Sequence, residues 1–267
     1  MKTPRFTQLF GPRPLTVIGM IHVAALPGTP RHRASLADIV AQALAEANIY
    51  RDAGIHALML ENMHDIPYVQ QPGTEVTAAM AVIAREVKRA CPDLPLGVQI
   101  LAGGNRAALA VALAAGADFI RAEAFVFGHV ADEGYMDSCA GDLLRYRKAI
   151  GAEQIAIVTD IKKKHSAHAI TADVDIVQTA QAAEFFLTDG LILTGATTGA
   201  AASVEELRAV AAVAQTPILI GSGITAENLA DYQPHADAVI VGSYVKQGGH
   251  WANAPDPARI RALMTAL

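Results

Sequence analysis

Cysteine is almost missing: Cys91 and Cys139 are the only two in 267 residues. That is too few for a disulfide scaffold, and the pair matches no metal-binding spacing. Basic charge is not in excess, with 21 Lys and Arg against 26 Asp and Glu and a net charge of −5. A nucleic-acid-binding protein would gather Lys and Arg into a broad face, so no nucleic-acid partner is expected. No apolar run approaches the roughly 18 residues of a membrane span, and the opening MKTPRFTQLF has no signal-peptide core. No linker, charge block or low-complexity stretch divides the chain. The expectation is one soluble domain over residues 1–267, cytoplasmic, with at most peripheral contact to a membrane.

What the chain does have is apolar substance in a repeating order. Its apolar share, 52%, is enough for a sizeable core at this length. Eight short apolar, β-branched runs recur at 15–21, 57–60, 96–101, 119–124, 154–159, 191–194, 217–220 and 238–241. Between them apolar residues fall at helical spacing, as at 36–51, 75–90 and 204–213. Gly54, Gly116 and Gly190 stand at the entries to strands, where the end of a helix calls for positive φ. Eight such units of about 30 residues predict an α/β fold, a (β/α)8 TIM barrel. Continuously apolar strands suit a parallel sheet covered on both faces. The competing doubly wound sheet would carry G-x-G-x-x-G after its first strand, and residues 19–22 show no such pattern.

A TIM barrel builds its active site from the loops at the C-terminal ends of its strands. Ionisable and amide residues gather at those ends: His22 after the first, Glu61 and Asn62 at the second, Gln99 late in the third. Arg121 and Glu123 lie on the fourth, Asp160 ends the fifth, and Thr194 and Gly195 end the sixth. The seventh runs into Gly221, Ser222 and Gly223, the eighth into Gly242 and Ser243. Glycine lets a backbone approach an anion and point its N–H groups at it. Many barrels bind phosphate at these two loops. A small phosphorylated ligand is therefore expected; two Gly-Ser turns without a ligand are the plainer alternative.

Arg121 and Glu123, two apart on a strand, share a face. They predict an ion pair at the base of the pocket, serving either as a buried ordering layer or to hold Glu123 as general acid or base. Asp160 is a second such candidate, expected from the opposite wall. His22 suits polarising a carbonyl or shuttling a proton, or it only binds the loop at 26–30. Glu61 and Asn62 point to opposite faces unless a bulge intervenes. Glu61 with His22, His64 and Asp65 offers donors for a divalent metal, but at no recognised ligand spacing, so no cofactor is firmly implied. The run Lys162-Lys163-Lys164-His165 opens the longest polar loop, 161–171, and reads as a solvated stretch or as a flap drawing in an anionic substrate. Lys162 is the residue expected to bind there; its charged neighbours argue against a Schiff-base role. Met59, Met63 and residues 125–127 read as packing.

Longer motifs resemble a family. VIGMIHVAALPGTPR at 17–31, LENMHDIPY at 60–68, GVQILAGGNR at 97–106 and FIRAEAFVFG at 119–128 are similar to the BtpA (BtpA/SgcQ) family. So are VTDIKKKH at 158–165, GLILTGATTG at 190–199 and PILIGSG at 217–223. The likeness runs in order over nearly the whole chain; it departs at Ala24-Ala25, where prolines are expected. It implies a fold like the ribulose-phosphate-binding barrels. The family is named for a role in photosystem I biogenesis, and other members lie beside sugar-uptake and sugar-metabolism systems. It supplies no agreed catalytic residues. An enzyme of a phosphosugar or nucleotide-like compound is therefore the leading expectation, by isomerase, epimerase, lyase or nucleosidase chemistry. An assembly factor for a membrane complex and a binding regulator without turnover are the alternatives. The Ala-rich outer helices leave room for a homo-oligomer.

Overall fold

The computed structural model describes residues 4–195 and 197–267. Its apolar runs form β1 (Thr16–His22), β2 (Ala57–Glu61), β3 (Leu96–Gln99) and β4 (Phe119–Ala122), followed by β5 (Ala156–Asp160), β6 (Gly190–Leu193), β7 (Ile218–Ile220) and β8 (Ala238–Val241). All eight are parallel and close into a barrel with neighbours in chain order. β1 seals the ring on β8 through Thr16 opposite Ala238 and Gly19 opposite Val241. The expected (β/α)8 architecture is the one observed.

Helices cover the outside: α1 (Pro4–Phe10) lies below the barrel, and α2 (Leu36–Asp52), α3 (Thr74–Ala90), α4 (Asn105–Ala115) and α5 (Ala140–Ala149) follow β1 to β4. Then come α6 (Ile176–Phe185), α7 (Val204–Ala211), the single turn α8 (Leu229–Tyr232) and α9 (Pro257–Thr265). Their starts are written in the sequence. Ser35 and Asp38 make a reciprocal capping box on α2, and Asp175 with Gln178 does the same on α6. Asp256 caps α9, whose first residue is proline. Gly116 ends α4 in the left-handed conformation, as expected. Before β6, however, the left-handed residue is Leu187 (φ 65°) rather than Gly190.

Two strands stop earlier than the apolar pattern suggests, β3 at Gln99 and β4 at Ala122. The chain after β4 leaves through Ala124 at φ 48°. It forms two short strands, His129–Ala131 and Gly134–Met136, and the first pairs antiparallel with Ser166–Ala167 from the loop after β5. Sequence periodicity did not announce this small rim sheet, because strands of two or three residues are too short to show alternation.

The barrel interior is layered. Ile18, Met20, Ala57, Met59, Phe119, Ala156, Val158, Ile192, Leu219, Ala238 and Ile240 fill it as one apolar cluster, sealed from below by Phe6 and Phe10 of α1. Phe10 meets the Phe119 ring edge-on at 5.5 Å. Phe119 fits because its neighbour across the ladder is Gly97, whose missing side chain leaves room for the ring.

Candidate active site

Side chains alternate along a strand, so two residues beyond each apolar lumen position the next side chain also faces inward. From Met20, Met59, Gly97, Phe119, Val158, Ile192, Leu219 and Ile240 that step arrives at His22, Glu61, Gln99, Arg121, Asp160, Thr194, Gly221 and Gly242. That step brings a polar side chain into the lumen on β1 to β6 and a glycine on β7 and β8. Ladder register brings His22 opposite Glu61, and Glu61 opposite Gln99. Eight of the residues expected at the site form this ring.

Arg121 makes a two-pronged ion pair with Asp160, Nε to Oδ2 at 2.9 Å and Nη2 to Oδ1 at 2.8 Å, with both side chains buried. This corrects the expected pair of Arg121 with Glu123 and the expected place of Asp160 on the opposite wall. β4 and β5 are adjacent, with Arg121 opposite Val158, so Asp160 lies within diagonal reach. Burial opposes the Arg121 charge, but the Asp160 carboxylate outweighs it and raises the guanidinium pKa.

Glu123 lies past the end of β4, and its carboxylate is held from three sides. It accepts from Gln99 Nε2 at 3.3 Å, from the Gly103 N–H at 2.9 Å and from Lys163 Nζ at 3.2 Å. Asn105 at the start of α4 fixes its backbone N–H and C=O. Gln99 Oε1 and Thr194 Oγ1 are buried polar atoms of the ring without a hydrogen-bond partner among the described residues.

His22 is buried, with Nδ1 2.8 Å from the Trp251 carbonyl oxygen. A carbonyl only accepts, so the proton sits on Nδ1 and Nε2 is left as an acceptor 3.6 Å from Glu61 Oε2. The expected alternative, a hydrogen bond to the loop at 26–30, is not made. Burial, and then the Lys246 charge, push the His22 pKa down to about 3. Burial raises that of Glu61, partly offset by Arg121 and Lys164. The imidazole is therefore neutral, and the carboxyl beside it takes up a proton more readily than usual.

Two cavities open over the ring. One, of about 210 Å³, is lined on the β7–β8 side by Gly221, Ser222, Gly223, Gly242, Ser243, Gly199 and Arg259. The other, of about 250 Å³, is lined by Gln99, Glu123, Asp160, Lys163, Tyr68 and Trp251. Glu61, Met63, Arg121, Lys164 and Thr198 line both, so the two are halves of one cleft.

A model of the BtpA family matches residues 13–267. The chain belongs to the BtpA family. A Caenorhabditis elegans protein whose name carries the word mitochondrial is 49% identical over 257 residues, 94% of this chain and 92% of that protein. The photosystem I biogenesis protein BtpA of Synechocystis is 32% identical over 253 residues, 94% of this chain and 87% of that one. Among solved structures, (S)-3-O-geranylgeranylglyceryl phosphate synthase of Thermoplasma acidophilum, in complex with sn-glycerol-1-phosphate, is similar at TM-score 0.62 and 16% identity. That likeness covers 100% of this chain and 98% of the synthase, and it shows the shared barrel.

In this BtpA-family barrel several expected residues serve the frame rather than the cleft. Asn62 is turned away from it, accepting from the Leu101 N–H and donating to Asp65. Asp65 in turn accepts from the Leu26 N–H at 2.8 Å, so the donors considered for a metal do not converge. Among the described residues no group of three or more His, Cys, Asp or Glu is gathered to hold a metal ion. Ser222 lines the cleft, but its hydroxyl also holds the chain after β6: it accepts from the Gly195 N–H and donates to the Ala200 carbonyl. A β-carbon on Gly242 would lie 3.1 Å from His22 Cε1, and one on Gly221 would lie 3.2 Å from Arg121 Nη2. Both glycines therefore make room for a neighbouring polar side chain as well as lining the first cavity.

The lysine run also differs from expectation. Lys162 faces a small pocket with Phe127, His129 and His168 that shares Asp160 and Lys163 with the cleft, while Lys163 binds Glu123 and Lys164 lines the cleft. Met63 and Phe127, expected to be packing, line cavities instead. Sequence reasoning also missed Trp251, Arg259 and Lys246. Lys246 is fully buried and pairs with Glu46 of α2 at 2.6 Å; a lone lysine in a glycine-rich loop carries no sign of that. Arg259 had one usable signal, its place in the first turn of the helix after β8.

Proposed function

We propose that this protein is an enzyme acting on a small phosphorylated metabolite, a sugar phosphate or a nucleotide-like compound. The observation that carries the reading is the shared cleft. A phosphate would sit among Gly221, Gly223, Gly242, Ser243 and Arg259, and the reacting carbons would lie over Glu61, Arg121, Glu123 and Asp160. Binding energy from the remote phosphate then orients the reacting bond. The chemistry that fits is proton transfer beside a carbonyl, as in isomerases and epimerases, or bond cleavage of the lyase or nucleosidase kind. Glu61 would move the proton, His22 Nε2 would accept a hydrogen bond from it or from substrate, and Arg121 would stabilise developing negative charge.

Among the described residues no helix is long and apolar enough to cross a membrane. An aqueous compartment, the cytoplasm, is part of the proposal, as is self-association through the outer helices, which light scattering would read. The role that names the Synechocystis relative, photosystem I biogenesis, favours a second reading, an assembly factor for a membrane complex.

A thermal-shift screen against inorganic phosphate, phosphosugars and nucleotides, with and without Mg²⁺, separates the two. A ligand at roughly 100 times its Kd adds about 2.7 kcal/mol of apparent stability. The expected result is a shift with phosphate esters that is lost in Ser243→Asp, which places a carboxylate on the anion side. No shift across the panel would overturn the reading and bring the assembly factor forward. With a ligand in hand, Glu61→Gln is expected to keep the shift and to lower turnover by about 10²–10⁴-fold.

A further inference from the structure

Three lysines follow β5, and the structure gives each a different place. Lys163 is bound to Glu123 and Lys162 faces the small pocket, whereas Lys164 lines both halves of the cleft. Left-handed residues on either side, Lys162 at φ 48° and His165 at φ 54°, re-aim the chain around it. His165 Nε2 accepts from the Thr198 N–H, which ties this loop to the one after β6 across the mouth. Among the described residues the Lys164 amino group has neither a hydrogen bond nor an ion pair. Arg121, Lys163 and Lys246 each hold a carboxylate, and Arg259, which lines the same cavity, donates to the Tyr244 carbonyl.

A half-buried amine that is unpaired and open to a cavity is placed to act as a nucleophile. We propose that Lys164 condenses with the carbonyl of a phosphorylated aldehyde or ketone whose phosphate sits on the β7–β8 side. This rests on the phosphate-ester reading above and names its substrate class. The nitrogen lone pair forms the C–N bond as the C=O π pair moves to oxygen. Proton transfers convert that oxygen to water, which leaves, and a protonated imine remains; nothing is oxidised or reduced. The imine draws electrons from the adjacent carbon, so a C–H proton or a C–C bond can be released there, and water then restores the amine. Glu61, which lines both cavities with Lys164, is the group placed to carry the protons. Burial, and then the Arg121 charge, lower the Lys164 pKa against the opposing pull of Glu61 and Asp160. That increases the share of free amine at neutral pH.

Pyridoxal 5′-phosphate, a phosphorylated aldehyde, is a suitable probe. The protein would be incubated with it, reduced with borohydride and mapped by peptide mass, alongside pyridoxal and a competition with inorganic phosphate. The expected outcome is labelling concentrated on Lys164, suppressed by phosphate, weaker with pyridoxal and lost in Lys164→Met. Because Lys164→Met keeps the stem, it is expected to fold and to retain the thermal shift with phosphate. Label confined to surface lysines while that shift persists would overturn the Lys164 role and leave the phosphate-ester reading standing. Label on Lys164 without protection by phosphate would overturn the substrate class proposed. Absence of both the thermal shift and the label would overturn the reading on which the inference rests. If the variant fails to fold, the map of the wild-type protein decides alone.

Discussion

His22 shows how a single side chain couples the site to stability. Its ring is wedged between the Trp251 carbonyl and the bare backbone of Gly242, and burial with the Lys246 charge takes its pKa down to about 3. In the unfolded chain a histidine protonates near pH 6.5. The unfolded state therefore binds more protons than the folded one throughout the window from about 3 to 6.5, and stability rises with pH across it. Going from pH 7 to pH 5 is expected to lose about 2 kcal/mol on account of His22. His129, whose pKa burial and then Lys163 push down to about 4, adds to the same limb. Urea midpoints over a pH series check this: His22→Gln should flatten the acid limb by about half, and an unchanged slope would refute the buried neutral imidazole.

Among the elements, the loop between β8 and α9 has the furthest reach. It sends Trp251 over His22 and His64, and Lys246 into a buried pair with Glu46 of α2, whose Oε1 also accepts from Gln42 at 3.4 Å. Lys246→Met removes the counter-charge of the buried Glu46 and leaves it only the long Gln42 contact, and its expected cost is about 3–5 kcal/mol in chemical denaturation. Adding Glu46→Gln to it should recover most of that loss, and no recovery would show that the lysine stem rather than the charge matters. Removing Lys246 also takes away a charge that lowers the His22 pKa, so the acid limb should become shallower. The loop after β5 shows why the lysine run was illegible. A solvated run and a directed one have the same composition, and neither period two nor period 3.6 survives the left-handed turns at Lys162 and His165.

Along the barrel axis the whole molecule passes from an apolar end to a polar one. The bottom is an apolar plug in which Phe10 packs on Phe6 and Phe119, and the top is the polar ring. Phe10→Ala is expected to cost about 3–5 kcal/mol while leaving the thermal shift with phosphate esters at its wild-type size; a lost shift would mean that the two ends are coupled. Much of this layout was readable beforehand. Alternation of apolar runs with helical stretches specifies a parallel barrel, and in such a barrel the C-terminal rim is where an active site is expected. Period two along each strand then puts His22, Glu61, Gln99, Arg121, Asp160 and Thr194 on the lumen, because backbone geometry alone sets that direction. Only the tertiary structure decided who meets whom. Arg121 took Asp160 instead of Glu123 because β5 lies beside β4, Ser222 and Asn62 went to holding loops, and Lys164 rather than Lys162 reached the cleft. Those pairings depend on strand neighbours, loop paths and local left-handed residues, and a linear pattern records none of these distances.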